Sequence, residues 1–477
     1  MNKETYLTEY PKHESMRENV KKDKNRLHFH MMPPTGWMND PNGLCEFQGV
    51  NHIYFQYTPF LAGWGTKLWG HYTTKDWIHY KEEEPFLYPD EEWDRDGVYS
   101  GSAYTCEDGI HYFYTGNVKL WDKDYDYIMN GREQNTIHVF SPDGKNIAYK
   151  KLVMTNDDYP VNMSKHVRDP KIYKKDGRYY MIQGGRDAES YGCALLFCSD
   201  DLEHWKWYDT VRTAKPFGYM WECPDLFELD GQLCLICCPQ GVEKKGYDYW
   251  NVHQCVCIPL DYDFTPGTWV IKTTDNFQMV DRGFDFYAPQ TFEDQQGRRI
   301  LIGWMGIPDA DYTNPTVKKG WQHALTIPRQ LHIRDGKLYQ EPVKELEKLC
   351  RNGRTFSKEE FQNLELPKCA KVQIDFKDCK NMEFSISDGV KLTYMDHVLT
   401  LDLGNCGSGR TIRKVWIEEL TDLTLFADTT SLELFINKGS QVFTTRVYGK
   451  QGKAGLKGQC DARIQVYEMS GYEYGRI

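Results

Sequence analysis

The chain lacks a long apolar run, a basic stripe and an apolar leader, and each lack excludes a class of protein. No segment of its 477 residues approaches the ~18–20 consecutive apolar residues of a membrane-spanning helix. Asp and Glu (69) outnumber Lys and Arg (58), which form no continuous stripe, so neither a nucleic acid nor an anionic membrane is an expected partner. Residues 1–30 are polar and charged, so no signal peptide is expected.

The 15 cysteines do not read as a disulfide framework. They are odd in number and lie mostly within predicted strands, so we expect reduced thiols and a cytoplasmic protein. One group has a spacing that resembles a zinc site: Cys234, Cys237, Cys238, Cys255 and Cys257. Its first three members share one apolar strand, where side chains alternate between faces and do not surround one tetrahedral ion. We therefore predict buried free cysteines, with no metal and no cofactor.

What the sequence does contain is a hairpin pattern used five times. An apolar run, a turn centred on glycine and a second apolar run recur at intervals of 54 to 68 residues, around Gly49, Gly109, Gly177, Gly231 and Gly297. A period of this length indicates one supersecondary unit repeated around an axis, and a sandwich would not show it. The pattern predicts a five-bladed β-propeller over residues 27–340.

The remaining segments complete an all-β prediction. Residues 1–26 are expected to form a charged arm with a short helix, and residues 341–351 a linker helix, because that stretch has helix formers and no strand alternation. Residues 352–477 alternate apolar and polar positions in about eight short segments separated by glycine turns, which predicts a C-terminal β-sandwich. The sandwich carries no paired carboxylates, so a packing role is favoured there over sugar binding.

Three acidic residues fall at one phase of the five-fold repeat. Asp40 lies nine residues before its turn glycine, Asp169 eight before, and Glu222 nine before. Strands that start at one phase of a radial array start at one end of its axis, so the three carboxyls are predicted to converge there. Each motif alone is a common turn sequence, but their coincidence favours a shared site. Two carboxyls flanking a scissile bond are what a glycosidase requires.

The flanking residues predict different environments for the three carboxyls. Glu222 stands in a Trp-Glu-Cys-Pro sequence, which predicts an apolar wall that favours its protonated form. Two asparagines beside Asp40 are predicted to keep that carboxyl ionised, and Arg168 is predicted to hold the adjacent Asp169 charged. Four aromatic residues lie near the same strand ends, where a ring can stack on a sugar: Trp64, Trp69, Tyr287 and Trp304.

Five motifs in this order resemble the signature of glycoside hydrolase family 32, the invertases, fructanases and sucrose-6-phosphate hydrolases. The resemblance covers nearly the whole chain, and residues 432–448 resemble the family's C-terminal sandwich. It implies a five-bladed propeller followed by a β-sandwich, and a sugar as substrate. The motifs are Trp-Met-Asn-Asp-Pro-Asn-Gly (37–43), Tyr-Ser-Gly-Ser (99–102), Arg-Asp-Pro (168–170), Glu-Cys-Pro (222–224) and Phe-Tyr-Ala-Pro-Gln (286–290).

The resemblance also implies a role for each carboxyl. Asp40 would be the nucleophile, Glu222 the general acid and base, and Asp169 the transition-state stabiliser that grips fructose hydroxyls. Cleavage of a β-fructofuranoside would pass through a covalent fructosyl-enzyme and retain configuration. Eight further residues are predicted to bind the substrate: Trp37, Asn39, Gln56, Trp64, Tyr99, Ser100, Arg168 and Trp304.

Several stretches of the fourth and fifth repeats resemble most the bacterial branch that acts on sucrose 6-phosphate, so this sugar or sucrose is the expected substrate; they are residues 218–227, 281–292, 301–308 and 320–331. Residues 252–264 depart from that branch, with cysteines and a proline where it shows a smoother strand. Candidate cations for a phosphate are Arg186, Lys215, Lys244, Lys245 and His323.

Three alternatives to this substrate and reaction remain open. One is a fructofuranosidase for short unphosphorylated fructo-oligosaccharides. Another is an inverting hydrolase of the arabinan type, whose carboxyls would stand ~6.5–9.5 Å apart rather than ~5–5.5 Å. The third is a non-catalytic fructan-binding protein, which would lack Asp40 or Glu222.

Overall fold

A computed structural model describes residues 1–121, 126–267, 269–450 and 452–476, and its regular structure is mostly β-strand. Two short helices, α1 (Lys3–Glu9) and α2 (Glu14–Lys21), flank a 3₁₀ turn (Tyr10–His13) at the N-terminus. The Asn2 side chain caps α1 by accepting a hydrogen bond from the Thr5 amide at 2.9 Å. This arm therefore folds locally and leads into the first strand.

Five antiparallel sheets follow, each built on four consecutive main strands. The first blade consists of β1 (Gly36–Phe47), β2 (Val50–Thr58), β3 (Leu68–Thr74) and β4 (His79–Leu87). The second consists of β5 (Val98–Thr105), β6 (Ile110–Lys119), β7 (Arg132–Ser141) and β8 (Tyr149–Met154). The third consists of β9 (Met163–Lys175), β10 (Arg178–Asp187), β11 (Gly192–Ser199) and β12 (Lys206–Thr213).

The last two blades carry short additional strands. The fourth blade consists of β13 (Met220–Leu229), β14 (Gln232–Gln240), β15 (Val256–Leu260) and β17 (Gln278–Met279), while β16 (Val270–Ile271) pairs in parallel with β12. The fifth blade consists of β18 (Tyr287–Glu293), β19 (Arg299–Trp304), β21 (Arg329–Arg334) and β22 (Lys337–Pro342), while β20 (Trp321–Gln322) pairs in parallel with β1.

The five blades close into a ring. The innermost strands β1, β5, β9, β13 and β18 each contact the next, and β18 contacts β1. The predicted five-bladed propeller is therefore confirmed. Its turns explain the repeat, because Asp176-Gly177 and Asp230-Gly231 have positive φ at both positions (49° and 82°, 51° and 80°). These values fit the tight hairpin turn that matches the twist of two antiparallel strands.

Each innermost strand contains a β-bulge at the same height. Two residues of the strand face one residue of its neighbour at Asn39-Asp40, Tyr99-Ser100, Asp169-Pro170, Cys223-Pro224 and Ala288-Pro289. Three of these bulges place a non-glycine residue at positive φ: Asp169 (64°), Cys223 (47°) and Ala288 (45°). A bulge bends its strand and re-aims side chains. Five bulges at one height therefore turn the motif residues toward one end of the axis.

The C-terminal quarter of the chain is a sandwich of two antiparallel sheets, which confirms the predicted fold class. A 3₁₀ helix (Lys344–Leu349) connects it to the propeller. One sheet consists of β23 (Cys350–Phe356), β24 (Ala370–Cys379), β29 (Asp422–Asp428), β30 (Ser431–Ile436), β31 (Gln441–Arg446) and β33 (Cys460–Met469). The other consists of β25 (Met382–Ser387), β26 (Val390–Met395), β27 (Val398–Asp402), β28 (Ile412–Trp416) and β32 (Gly455–Lys457), with a 3₁₀ turn at Gly404–Gly407.

The two domains are joined by buried charges and by a strand that follows the sandwich and pairs with the propeller. His30 contacts Asp428 (2.8 Å) and Glu433 (2.9 Å), all three side chains being buried, and Arg329 of the fifth blade also binds Glu433 (2.6 Å). The last strand, β34 (Glu473–Arg476), leaves the sandwich and pairs in parallel with β4 of the first blade. The expected sandwich segment 352–477 thus ends in a strand that belongs to the propeller.

Candidate active site

The five bulges surround a cavity of about 290 Å³ that contains the three predicted carboxyls. We call it the site cavity. Asp40, Asp169 and Glu222 all line it, and the thiol of Cys223 lies between the first two, 3.9 Å from Asp40 Oδ2 and 3.6 Å from Asp169 Oδ2. The convergence expected from the repeat is therefore present in the structure.

Asp40 is held by a chain of polar side chains. Ser100 Oγ donates to Asp40 Oδ2 at 2.5 Å, and Asn39 Nδ2 donates to Asp40 Oδ1 at 3.0 Å. Gln56 in turn donates to Ser100 at 2.6 Å, and Trp37 Nε1 donates to Asn39 at 2.9 Å. Each donor toward Asp40 is thus oriented by a further hydrogen bond, which fixes the direction of the carboxyl.

Opposing effects act on the charge of Asp40. Burial is the largest effect and raises its pKa, and the nearby charge of Glu222 raises it further. The hydrogen bonds from Ser100 and Asn39 act in the opposite direction. Only one of the two expected asparagines reaches the carboxylate, because Asn42 donates to the Asp40 backbone carbonyl (3.2 Å) instead.

The environment of Glu222 is polar, and the predicted apolar wall is wrong. Arg168 donates to Glu222 Oε1 through Nε (3.1 Å) and Nη2 (2.5 Å). Gln240 and Tyr287 each donate to Oε2 at 2.7 Å. Trp221 packs on the other side of the strand, where its Nε1 donates to the Phe217 carbonyl at 2.8 Å. The reason is that neighbouring residues of a strand face opposite ways.

Asp169 is buried without the ion-pair contact predicted for it. The guanidinium of Arg168 bonds Glu222, Gln134 and His166, while Asp169 Oδ2 accepts from the Cys223 amide at 2.9 Å. Burial raises the pKa of Asp169 to about 7, against the opposing charge of Arg168. The expectation that Arg168 holds Asp169 fully ionised is therefore corrected. Consecutive side chains diverge at the bulge, so sequence adjacency does not give contact.

Seven of the eight predicted substrate-binding residues line the site cavity: Asn39, Gln56, Trp64, Tyr99, Ser100, Arg168 and Trp304. The eighth, Trp37, lies behind Asn39 and orients it. Tyr287 also lines the cavity, but Trp69 does not. Trp69 is buried in the core between the first two blades and donates to the Tyr99 carbonyl at 3.1 Å, so its predicted position near the sugar is wrong.

Sequence reasoning missed several cavity residues. The motifs lie near the start of the innermost strands, at one phase of the repeat. The missed residues lie mainly on second or third strands and on connecting loops. Their signal was their spacing of two to thirty residues from a motif, which alone is too weak to select them. They are Tyr127, Arg132, His166, Tyr219, Gln240 and Asp309.

Of the five cations considered for a phosphate, Arg186 lines the site cavity. It lies 4.8 Å from the ring of Tyr219 and donates to Ser190 at 2.9 Å. Lys244 lies over Trp250 (3.2 Å) and Lys245 near Asp275 (3.8 Å), outside the cavity lining, as is Lys215.

His323 is not a cation in this environment. It is buried against Trp37 and Trp304, with ring centroids at 4.4 and 5.0 Å, and burial lowers its pKa well below the usual range. The neutral imidazole therefore packs behind the aromatic wall and cannot attract a phosphate by charge.

The cysteines of the fourth blade lie on alternating faces. Cys234, Cys238, Cys255 and Cys257 pack into one hydrophobic cluster, and Cys237 packs into the next. Among the described residues, Cys106, Asp108 and His111 bring potential metal-ligand atoms within 4.8 Å of one another, at the β5–β6 turn. At ~3.3 Å per residue this turn lies roughly 20 Å along the strand from Ser100, outside the candidate site.

A ring of five blades, with three carboxyls and a stacking surface at one end of its axis, defines a carbohydrate-cleaving propeller enzyme. Comparison with known proteins identifies the family. Residues 30–342 match the N-terminal domain of glycosyl hydrolases family 32, and residues 356–466 match the family's C-terminal domain. The chain therefore belongs to glycoside hydrolase family 32 and is a glycoside hydrolase.

Individual relatives cover nearly the whole chain. A sucrose-6-phosphate hydrolase of Bacillus subtilis is 37% identical over 94% of this chain and 95% of its own length. One from Klebsiella pneumoniae is 34% identical over 89% of both chains. The solved structure of sucrose-6-phosphate hydrolase from Lactobacillus gasseri superposes with a TM-score of 0.86 at 27% identity, covering 96% of each chain.

A further solved structure is that of a Bombyx mori β-fructofuranosidase variant in complex with sucrose. It superposes with a TM-score of 0.84 at 27% identity over 100% of both chains. Within the described part of this chain, the helices are all too short to cross a bilayer.

Proposed function

We propose that this protein hydrolyses terminal β-D-fructofuranosides with retention of configuration, and that sucrose 6-phosphate is its preferred substrate. The observation that carries the reaction is the convergence of Asp40, Asp169 and Glu222 in one cavity at the bulges of the first, third and fourth blades. The substrate is supported by the names of the bacterial relatives, which are 34–37% identical over most of the chain.

In this proposal the reaction has two displacements. Asp40 attacks C2 of the fructosyl unit while Glu222 gives its proton to the bridging oxygen, which leaves with the glucosyl part. Water then attacks C2 of the fructosyl–Asp40 ester, Glu222 takes the water's proton, and the Asp40 carboxylate leaves. Two inversions at C2 give net retention. The hydrogen bonds of Gln240 and Tyr287 to Oε2 orient Glu222 for both proton transfers.

Asp169 has a separate part in the proposal. Cys223 holds its Oδ2, and we assign Oδ1 to the hydroxyls of the fructosyl ring. Burial raises the pKa of Asp169 to about 7 and that of Asp40 above its usual range, and the charge of Glu222 raises both further.

The preference for a phosphorylated sugar is assigned to Arg186. Its guanidinium lies in the lining of the site cavity beside Tyr219, and a guanidinium forms charge-assisted hydrogen bonds to phosphate. Two such bonds are worth about tenfold or more in specificity. The fifteen free cysteines support the cytoplasm as the compartment, where such a sugar phosphate would be met.

The test is an assay of the purified protein on sucrose, sucrose 6-phosphate and inulin, at low and raised ionic strength. We expect kcat/KM to be at least about tenfold higher for sucrose 6-phosphate, with a preference that falls as salt screens the phosphate. Arg186→Gln should remove this preference, and Lys215→Gln, outside the cavity lining, should keep it. Transfer to added methanol should give methyl β-fructofuranoside, the product of retention.

Different results would contradict different parts of the proposal. Equal kcat/KM values for the two sucroses would leave a β-fructofuranosidase without phosphate specificity. A preference for inulin would favour the fructo-oligosaccharide alternative. A methyl α-fructofuranoside product would contradict the retaining mechanism, and no cleavage of any fructoside would contradict the function as a whole.

A further inference from the structure

A fourth carboxyl, Asp309, lines the site cavity, and the reaction described above does not use it. It lies in the loop after β19, and its Oδ2 is 2.8 Å from Nε2 of His253. His253 is almost completely buried, at 3% exposure, whereas the side chain of Asp309 is 72% exposed. The pair therefore joins a fixed, interior imidazole to a carboxylate that faces the opening.

The backbone at Asp309 also departs from the usual conformation. Its φ is +56°, in the left-handed region that costs a non-glycine residue free energy. Such conformations persist where the surrounding structure enforces them, and they cluster at ligand-binding sites. Across the described ranges His253 is the side chain that hydrogen-bonds the Asp309 carboxylate, so Oδ1 is left to solvent or to a ligand.

The location of Asp309 assigns it to the leaving-group side. The site cavity adjoins an outer cavity of about 590 Å³, and four residues line both of them: Trp64, Tyr127, Pro308 and Asp309. Burial raises the pKa of Tyr219, and the charges of Asp309 and Glu222 raise it further, which places both carboxyls near this phenol. Glu222 is the proposed donor to the bridging oxygen. Residues between Glu222 and the opening of the cavity therefore face the leaving-group sugar.

We propose that Asp309, positioned by His253, binds hydroxyl groups of the leaving-group sugar and thereby selects a glycosyl leaving group over other fructosides. This inference rests on the proposed function. A carboxylate accepts hydrogen bonds from two neighbouring hydroxyls of a sugar ring. His253 is a positioning residue, since its contact with Oδ2 leaves Oδ1 directed to the substrate. Arg186, which also lies beside Tyr219, would bind the phosphate. Asp309 and Arg186 would thus bind different groups of the same leaving-group sugar.

The test compares substrates that differ only in the leaving group. Asp309→Asn should lower kcat/KM about 10- to 100-fold for both sucrose and sucrose 6-phosphate, because charge-assisted hydrogen bonds are lost. It should leave 4-nitrophenyl β-D-fructofuranoside, whose leaving group has no sugar hydroxyls, within about twofold of the wild type. His253→Gln should shift the same ratio in the same direction by a smaller factor.

A binding measurement separates recognition from chemistry. Calorimetry with glucose and glucose 6-phosphate should show weaker binding of both to Asp309→Asn, whereas Arg186→Gln should weaken only glucose 6-phosphate. Asp311→Asn, an exposed neighbour outside the cavity lining, is the matched control and should behave as wild type in both measurements.

Three outcomes would overturn the inference. An equal loss on all three substrates would make Asp309 a general structural residue, and no loss on any would remove it from the site. Unchanged glucose binding by Asp309→Asn would likewise exclude it from the leaving-group subsite. Failure of the wild type to cleave any of the fructosides is a separate result, which would overturn the proposed function and this inference with it.

Discussion

The hydroxyl of Ser100 acts directly on the charge of Asp40. Its hydrogen bond, 2.5 Å long, stabilises the ionised carboxyl against burial, which raises the pKa of Asp40. Ser100→Ala should therefore raise that pKa further, and the acid limb of kcat/KM should move upward by about one to two pH units. This follows from ~1.5–3 kcal/mol per charge-assisted bond and ~1.4 kcal/mol per unit. The pH–rate profile measures it.

Ser102→Ala is the matched control for that experiment. Ser102 lies on the same strand, but its hydroxyl donates to the Pro170 carbonyl at 2.8 Å and not to Asp40. Its acid limb should stay in place. If the Ser100→Ala profile also stayed in place, the hydroxyl would not be the group that keeps Asp40 ionised.

Asp40→Asn and Glu222→Gln should each reduce sucrose cleavage by ~10²-fold or more, since general acid–base help alone is worth ~10²–10⁴-fold. The two variants should differ on a fructoside with a good leaving group. Glu222→Gln should recover part of the fructosylation step there, because that leaving group needs no proton, whereas Asp40→Asn should recover nothing. Burst kinetics with 4-nitrophenyl β-D-fructofuranoside distinguishes them, and equal recovery would contradict the assignment of nucleophile and acid.

Residue identity was predictable at this site, but residue contact was not. The common phase of the repeat located Asp40, Asp169 and Glu222, and the family resemblance located their seven cavity-lining partners. The predicted partner of Arg168, Asp169, was wrong, because consecutive side chains diverge at the bulge. The guanidinium instead binds Glu222, which is 54 positions further along the sequence. Tyr219 and Asp309 are set by loop conformations that no repeat encodes.

At the scale of elements, the hairpin turns contribute to stability through backbone conformation alone. Gly177 has φ of +82° with open space around a potential Cβ. Gly177→Ala should therefore lower the free energy of unfolding by ~1–2 kcal/mol, the cost of an L-residue in this region. Gly177→Asn should cost less, because Asn enters the left-handed region more readily. Denaturant unfolding measures both.

Gly63→Ala provides the control for this turn. Gly63 is not at positive φ, and its potential Cβ meets only Leu61, at an ordinary 3.7 Å. It should be neutral or slightly stabilising, since alanine restricts the unfolded chain. Equal effects of Ala and Asn at Gly177 would instead indicate a lost contact rather than backbone strain.

Elements were the most predictable level of this fold. The glycine turns fixed five hairpins, and alternation indicated the sandwich. The bulges were not foreseen, because a bulge is a relation between two strands and leaves no periodic signal in one. The short parallel strand β20 was missed for the same reason, since its pairing with β1 joins distant segments.

For the whole molecule, the buried charges between propeller and sandwich predict a pH-dependent stability. Burial disfavours charge on His30, but hydrogen bonds to Asp428 and Glu433 outweigh it and raise the pKa of His30. Its contribution is therefore complete below its ordinary pKa of ~6.5 and is lost as pH rises through the higher folded-state value. His30→Gln should cost ~3–5 kcal/mol at pH 6, because it removes the cation that pairs with the buried carboxylate of Asp428.

The measurement is the free energy of unfolding of both proteins from pH 6 to pH 9. The difference between them should shrink as pH rises, while other titrating groups cancel in the comparison. His79→Gln is the control, because His79 pairs with Asp76 on the exposed surface and its loss should leave stability unchanged. A difference that stayed constant across the range would mean that His30 is neutral when folded.

Because β34 pairs with β4, the sheet of the first blade is completed only after the sandwich has been synthesised. The four main strands of the first blade are translated before the rest of the propeller, yet β34 follows only after the sandwich, roughly 20–80 s later at ~5–20 residues per second. During that delay β4 is an open sheet edge, the kind of surface on which chains aggregate. Its sequence, His-Tyr-Lys-Glu-Glu-Glu-Pro-Phe-Leu, carries the charges and the proline that discourage such pairing. A chain that stops before β34 would keep this edge open and should aggregate more readily.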